Sequence, residues 1–371
     1  MDISNYFQLM VKKDASDLFL SVGAPVNIKI QGVTSPVNNH PLPPGSVASI
    51  AKAILTKEQW DKFNDTMEMN LAVTIKNLGR YRINFYRQRG EVAMVVRYIR
   101  PEVKSVEELN LPPILNDLVM LPRGLVLMVG STGSGKSTTL AAMIDHRNQN
   151  QTGHILTIED PIEYMYKHKK SIVDQREIGV DTISYENALK NAMREAPDVI
   201  LIGEIRDMDT MRAAIAYADT GHLCLSTLHA NNANQALDRI INFFPDTAHK
   251  QLHKDLALNL KAVISQRLVI GVDNKRIPAV EIMLSSPYLS ELIEKGEVDQ
   301  LKDAMERESA DGMQTFDDAL YDLYQRKLIS EEVALQNADS RNNMGLKIRL
   351  GDGANISDID GDLLGDEYSV K

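Results

Sequence analysis

Between Gly124 and His229 the chain alternates continuous apolar runs with segments of helical period: "GLVLMVG", "KSTTLAAMIDH", "HILTIE", "YENALKNAMRE", "DVILIGE", "MDTMRAAIAYAD" and "HLCLSTLH". Apolar runs with no polar alternation are strands buried on both faces, and the helices between them supply the cover. The pattern therefore predicts a parallel sheet in an α/β layer. The first hundred residues differ. Short strands are expected at "DLFLSV", "VNIKIQG", "NLAVTIK", "RYRINFY" and "AMVVRYI", and helices at "YFQLMVKK" and "SVASIAKAILTKEQWDKF". In "RYRINFY", Tyr81, Ile83 and Phe85 share one face and Arg80 and Arg82 the other, which sends the rings into a core and leaves the arginines outside. Residues 101–113, "PEVKSVEELNLPP", begin and end with proline, show no strand period and are expected to link two domains. After the α/β segment comes a helical part with one hairpin, "AVISQRLVIGVDNKRIPAVEIML", turning at "VDNKR". The division is a mixed domain over 1–100, the linker, an α/β domain with a helical end over 114–350, and a tail over 351–371.

Composition changes this picture in three places. The tail carries six acidic residues against one lysine, a net −5 out of the chain's −10, and reads as a disordered segment. An acidic chain of 371 residues is a poor general coat for nucleic acid, so the arginines of "GRYRINFYRQRGEVAMVVRYIR" are not read as a single-strand platform and no nucleic-acid partner is expected. The lone Cys224 can form neither a disulfide within the chain nor a cysteine metal site. No stretch approaches the roughly 20 apolar residues that span a bilayer, and no signal-peptide layout opens the chain, so a cytoplasmic protein is expected.

The chemistry is concentrated in the α/β segment. "GSTGSGKST", Gly130, Ser131, Thr132, Gly133, Ser134, Gly135, Lys136, Ser137 and Thr138, matches G-x-x-x-x-G-K-[ST] at every fixed position and lies between a buried strand and a helix. The glycines let backbone N–H groups face ATP phosphates, Lys136 reaches the same oxygens, and Ser137 is the expected Mg²⁺ ligand. "PDVILIGEIRD" ends a buried strand at Glu204, the candidate base for the attacking water; the plainer reading is a helix-start glutamate paired with Arg206. "ILTIEDPIEY" places Glu159, Asp160 and Glu163 at another strand end, where a metal and its waters would offset their repulsion. In "TGHLCLSTLHANNA", His222 opens a strand and His229 closes it, and both are expected at the phosphate rim.

These four segments, in this order, resemble the Walker A, Asp box, Walker B and His box of the secretion-superfamily ATPases, the hexameric motors of type II and type IV secretion and of type IV pili. The likeness runs from about residue 3 to 345. It implies a RecA-like P-loop ATPase domain and a smaller PAS-like α+β N-terminal domain, with Glu204 and Glu163 catalytic. It also explains Gly203, since the family generally carries glycine before that glutamate. The resemblance further implies that arginines of the small domain complete a neighbouring subunit's site, with Arg82, Arg97 and Arg89 at such positions. A short N-terminal domain without a four-cysteine insertion is similar to the pilus retraction branch. "LMVKKDASDLFLSVGAPVNIKIQG" and "GMQTFDDALYDLYQRKLIS" are similar to its accessory type, and "PYLSELIEKG" stands where the other type has "AIRNLIR". The partners implied are a homo-hexamer, a PilT-type retraction ATPase and a PilC-type platform protein of the inner membrane, at which the motor docks. Other readings are a pilus assembly or type II secretion ATPase, a DNA translocase, and a scaffold that binds ATP without hydrolysing it.

Overall fold

The computed structural model describes residues 3–30, 32–76, 78–99, 102–308 and 312–351. The expected disordered tail lies outside these residues, apart from Gly351. The chain forms two compact units, one running to Val103 and including Ile162–Lys167 and Gly179–Asp181, the other made of the remainder from Lys104.

The first unit opens with helix α1 (Ser4–Lys12), strands β1 (Asp17–Leu20), β2 (Asn27–Ile30) and β3 (Val33–Pro36), and helices α2 (Ser46–Ile54) and α3 (Lys57–Thr66). Strands β4 (Glu68–Ile75), β5 (Gly79–Gln88) and β6 (Glu91–Ile99) complete a six-stranded sheet in the order β3-β2-β1-β6-β5-β4. Its pairings are antiparallel throughout. Tyr81, Ile83 and Phe85 are fully buried, as their alternation requires, and pack with Phe7 and Met10 of α1, Val47 and Ile50 of α2 and Phe63 of α3. The single helix expected over 46–63 is two. Leu55 turns to extended backbone and Thr56 starts α3 with a capping box, its hydroxyl accepting from Gln59 N–H while the Gln59 side chain accepts from Thr56 N–H. Strand β3 escaped the sequence reading because "VTSP" is exposed at all four positions and has no alternation to show.

The second unit begins earlier than the expected end of the linker. Residues 104–113 belong to it: Val106 and Leu111 are buried, and Asn116 Nδ2 donates to Glu107 Oε1 at 2.8 Å. The proline-bracketed stretch is thus mostly packed chain, and the boundary is at Val103–Lys104. Its elements follow as α4 (Ile114–Val119), β7 (Gly124–Val129), α5 (Lys136–Asn150), β8 (Gly153–Glu159), β9 (Ser171–Glu177), α6 (Tyr185–Ala192), β10 (Val199–Ile202), α7 (Met208–Asp219), β11 (Leu223–Leu228), α8 (Ala233–Asn242) and α9 (Asp246–Asn259). The hairpin β12 (Leu260–Ile270) and β13 (Arg276–Leu284) leads to α10 (Pro287–Lys295), α11 (Leu301–Arg307), α12 (Phe316–Gln325), α13 (Glu331–Asn337) and α14 (Arg341–Gly351). Seven strands form one sheet in the order β13-β12-β7-β11-β10-β8-β9, parallel except for the β12–β13 hairpin at one edge. Strands β7, β10 and β11 are buried at every position, which is why they read as unbroken apolar runs. The opposite edge strand, "SIVDQRE", carries too little apolar character to be legible.

The route from β7 through α5 to β8 passes over β11 and β10, so the β7–α5 turn opens at the carboxyl end of the sheet where the strand order reverses, the usual place for a ligand crevice. The last helices close a second small core, Phe316, Leu320, Met344 and Ile348 against Val269 and Ala279 of the hairpin. There the Arg267 guanidinium lies 3.8 Å from the Phe316 ring centroid and 2.8 Å from Asp339.

Candidate functional site

The loop between Val129 and Lys136 has the backbone its glycines were chosen for. Gly130, Gly133 and Gly135 have φ of +152°, +80° and +93°. A Cβ on Gly135 would stand 2.6 Å from Gln266 Nε2, and one on Gly130 would stand 2.6 Å from the Gln266 carbonyl oxygen, so close approach excludes side chains as firmly as φ does. Lys136, the first residue of α5, is buried and donates to Gly130 O at 2.7 Å and Ser131 O at 3.0 Å. Burial holds its ammonium below the usual lysine range, and the Glu204 carboxylate opposes that shift.

Ser134 Oγ is buried and has no hydrogen-bond partner. An unsatisfied hydroxyl, a lysine and a glycine cradle at a helix N-terminus form a donor set that fits the phosphates of a nucleotide. Ser137 is exposed on the first turn of α5, next to Lys136. From Ser131, a cleft of about 670 Å³ runs past His229 and Asn231 to Asp238 and Arg239.

One residue that holds this loop was missed. Gln266, buried on β12, donates through Nε2 to Ser134 O at 2.8 Å and accepts through Oε1 from Thr139 Oγ1 at 2.7 Å. Its amide therefore pins the phosphate loop to both its own turn and the following helix. The legible signal was a glutamine in the middle of "AVISQRLVI", a polar residue where the strand is buried. Gln266→Ala leaves two buried groups unpaired, at about 1–3 kcal/mol each. The expected result is nucleotide affinity weaker by about tenfold, with the melting temperature lowered as well, checked by titration of a fluorescent nucleotide and by thermal unfolding.

The carboxylates gather two and three strands away. Strand β10 lies between β8 and β11, and beyond it Gly203 N donates to Ile158 O at 2.8 Å while Thr227 Oγ1 donates to Gly203 O at 2.7 Å. A Cβ on Gly203 would be 3.1 Å from the Tyr185 hydroxyl and 3.2 Å from both Ile158 O and the Glu159 Cα. Two strand ends and a tyrosine meet so closely there that a side chain would need its neighbours to shift by a few tenths of an ångström. The Tyr185 hydroxyl is pushed far up by burial and by the neighbouring carboxylates, Asp160 foremost.

Glu204 follows with one oxygen hydrogen-bonded and the other near a histidine. Oε2 accepts from Arg206 Nε at 2.8 Å and Oε1 lies 3.2 Å from His229 Nε2. Arg206 reaches onward, Nη1 to Asp160 Oδ2 at 3.4 Å. The pair with Arg206, the plainer reading of this glutamate, thus exists, and it occurs at the phosphate rim rather than in place of it. Burial and the nearby Lys136 hold His229 below the ordinary histidine range, which keeps its imidazole neutral near pH 7.

Glu159 is buried at the end of β8, accepting from Thr157 Oγ1 at 2.7 Å. Glu163 groups with the first unit, where its charge adds to the Asp17 carboxylate in raising the Arg97 guanidinium. Arg97 pairs with Asp17 at 2.8 Å and lies opposite Arg82 on the neighbouring strand, and Arg89 forms the β5–β6 turn at φ +51°.

His222 is the residue the structure takes out of the pocket. It precedes β11, its carbonyl accepts from Gly124 N at 3.0 Å at the start of β7, and its Nδ1 lies 3.1 Å from Thr220 Oγ1. The six residues of β11 separate it from His229 by about 20 Å of strand, so the two imidazoles are at opposite ends of the sheet and not at one rim. A strand carries only one of its ends to the ligand side of a parallel sheet.

A glycine-lined strand–loop–helix cradle with its lysine, and a carboxylate at the end of a nearby parallel strand, define a P-loop ATPase. Residues 3–336 match the family model described as type II/IV secretion system protein, and the chain belongs to that family. It is 50% identical to the type IV pilus ATPase PilU of Pseudomonas aeruginosa over 95% of this chain and 92% of the relative. Identity to the type IV pilus retraction ATPase PilT of the same organism is 39%, over 91% of this chain and 98% of the relative. A crystal structure of the pilus retraction motor PilT with bound ADP superposes with a TM-score of 0.86 at 37% identity, covering 92% of this chain and 98% of that one. The chain thus falls within the PilT/PilU branch of the secretion ATPases.

Proposed function

We propose that this chain is the subunit of a homo-hexameric, cytoplasmic motor that hydrolyses MgATP and serves type IV pilus retraction as an accessory, PilU-type ATPase. The observation that carries the reading is Glu204 at the end of β10, set among Lys136, Arg206 and His229, in a chain similar to PilU over nearly its full length. MgATP supplies the transferable phosphoryl group and the metal's charge. Lys136 and the loop amides from Gly130 to Thr138 hold the phosphates, and Ser137 would ligate the metal, with Glu159 acting through its waters. Glu204 takes the proton of the attacking water, and His229 donates to the terminal phosphate. Arg82 and Arg97, paired across β5 and β6, and Arg89 in the turn at the end of that hairpin serve the site of a neighbouring subunit, where an arginine on developing phosphate charge accelerates related hydrolases by roughly 10³–10⁵.

The work is delivered to a PilC-type platform at the inner membrane, in company with a PilT-type ATPase. Among the described residues no helix is long and apolar enough to cross a membrane, so membrane contact is assigned to the platform. Deletion of the gene in a piliated host is the test. Cells that keep or gain pili but lose twitching are the expected result, scored by pilus counts and by motility zones. Bald cells would instead assign the chain to pilus assembly.

A further inference from the structure

We propose that Arg206 is a positioning residue for hydrolysis: it holds one oxygen of Glu204 fixed, so that the other is presented to take the proton of the attacking water. The inference rests on Glu204 being the base.

The two partners of the carboxylate are anchored differently. Arg206 stands at the turn before α7, where its backbone N–H donates to Thr210 Oγ1 at 3.3 Å, and Thr210 is itself locked in a capping box with Asp207. Its guanidinium spans Glu204 Oε2 at 2.8 Å and Asp160 Oδ2 at 3.4 Å, tying the ends of β10 and β8 together. A planar fork with two carboxylate partners fixes orientation better than a single point charge does.

His229 has no comparable anchor. It is the first residue beyond β11, half-buried, and it lines the cleft that begins at Ser131 of the phosphate loop. His229 Nε2 lies 3.2 Å from Glu204 Oε1, an ion-pair distance without hydrogen-bond geometry. A neutral imidazole has one N–H. Turned toward a terminal phosphate oxygen, it leaves Glu204 Oε1 open to accept a proton.

The hydrolytic step then balances. The water oxygen bonds to the terminal phosphorus, one water proton passes to Glu204 Oε1, and the bond to the bridging oxygen breaks with its electron pair left on ADP. Throughout, Arg206 keeps Oε2 occupied and the carboxylate plane aimed.

The test uses the full chain at ring-forming concentration, with steady-state ATPase kinetics and binding of a fluorescent ATP analogue. Arg206→Ala is expected to lower kcat by about 10- to 100-fold, the worth of a charge-assisted hydrogen bond, while nucleotide affinity stays within about threefold. Arg206→Lys, which keeps the charge but loses the fork, recovers only part of the rate. In a Glu204→Gln background, adding Arg206→Ala lowers the residual rate by less than threefold and leaves the affinity unchanged, because the base it positions has gone. Wild-type kcat in Arg206→Ala would overturn the proposal. So would an affinity loss of tenfold or more in both backgrounds, which is the mark of a phosphate-binding or merely structural arginine. Full turnover in Glu204→Gln alone would remove the base itself, a separate failure visible before Arg206 is touched.

Discussion

Lys136→Ala abolishes useful ATP binding, with affinity falling by about 100-fold or more. The Nζ ammonium is held at the loop by Gly130 O and Ser131 O, so it is already placed at the entrance of α5 and needs only to exchange carbonyls for phosphate oxygens. Charge-assisted bonds to phosphate are worth about 1.5–3 kcal/mol each, and two of them account for the loss. The fold itself survives, because Ser131, one of the two carbonyl partners, borders the open cleft, where water can replace the ammonium. Thermal unfolding separates the two effects. Ligand at 100 times its dissociation constant stabilises a protein by about 2.7 kcal/mol, so the wild type melts higher with ATP present. The variant melts at the same temperature with and without it. A variant that still shows the ATP-dependent rise would mean that the backbone cradle, not the lysine, carries the affinity.

How much of this site could be read in advance follows from what each residue does. Gly130, Gly133, Gly135 and Lys136 were legible because a phosphate cradle needs fixed residue types at fixed spacing within one loop. Glu204 was legible because it terminates an apolar strand. Residues that act across the sheet leave no spacing to read. Gln266 meets Ser134 and Thr139 from more than a hundred positions away, and Asp160 meets Arg206 from 46. His222 was misplaced for the converse reason: its proximity to His229 in sequence says nothing about which end of an intervening strand faces the ligand. In the fold, fully buried strands announced themselves, while β3 and β9, polar and at sheet edges, did not. The break between α2 and α3 was hidden because the apolar spacing continues across Leu55 and only the Thr56–Gln59 capping box interrupts it.

Glu204→Gln separates binding from chemistry. The expected outcome is ATP affinity close to wild type with turnover down by about 10²- to 10⁴-fold, the range a positioned general base contributes. Glutamine keeps the shape, and its amide oxygen can still accept from Arg206 Nε as Glu204 Oε2 does at 2.8 Å. The side facing His229 then carries an amide that can donate but not take a proton. Removing the negative charge also relieves what Glu204 does for Lys136, whose ammonium it favours against burial, so a modest change in affinity accompanies the large change in rate. Single-turnover assays decide the matter, since rings loaded with ATP will hold it unhydrolysed. A rate within a few-fold of wild type would show that water is activated by another group, and the carboxylates of "IEDPIEY" would be the next to replace. Slow hydrolysis by the wild type as well, at ring-forming concentration, would instead make the chain an ATP-binding scaffold, because a carboxylate that is present but never brought to an attacking water does no work.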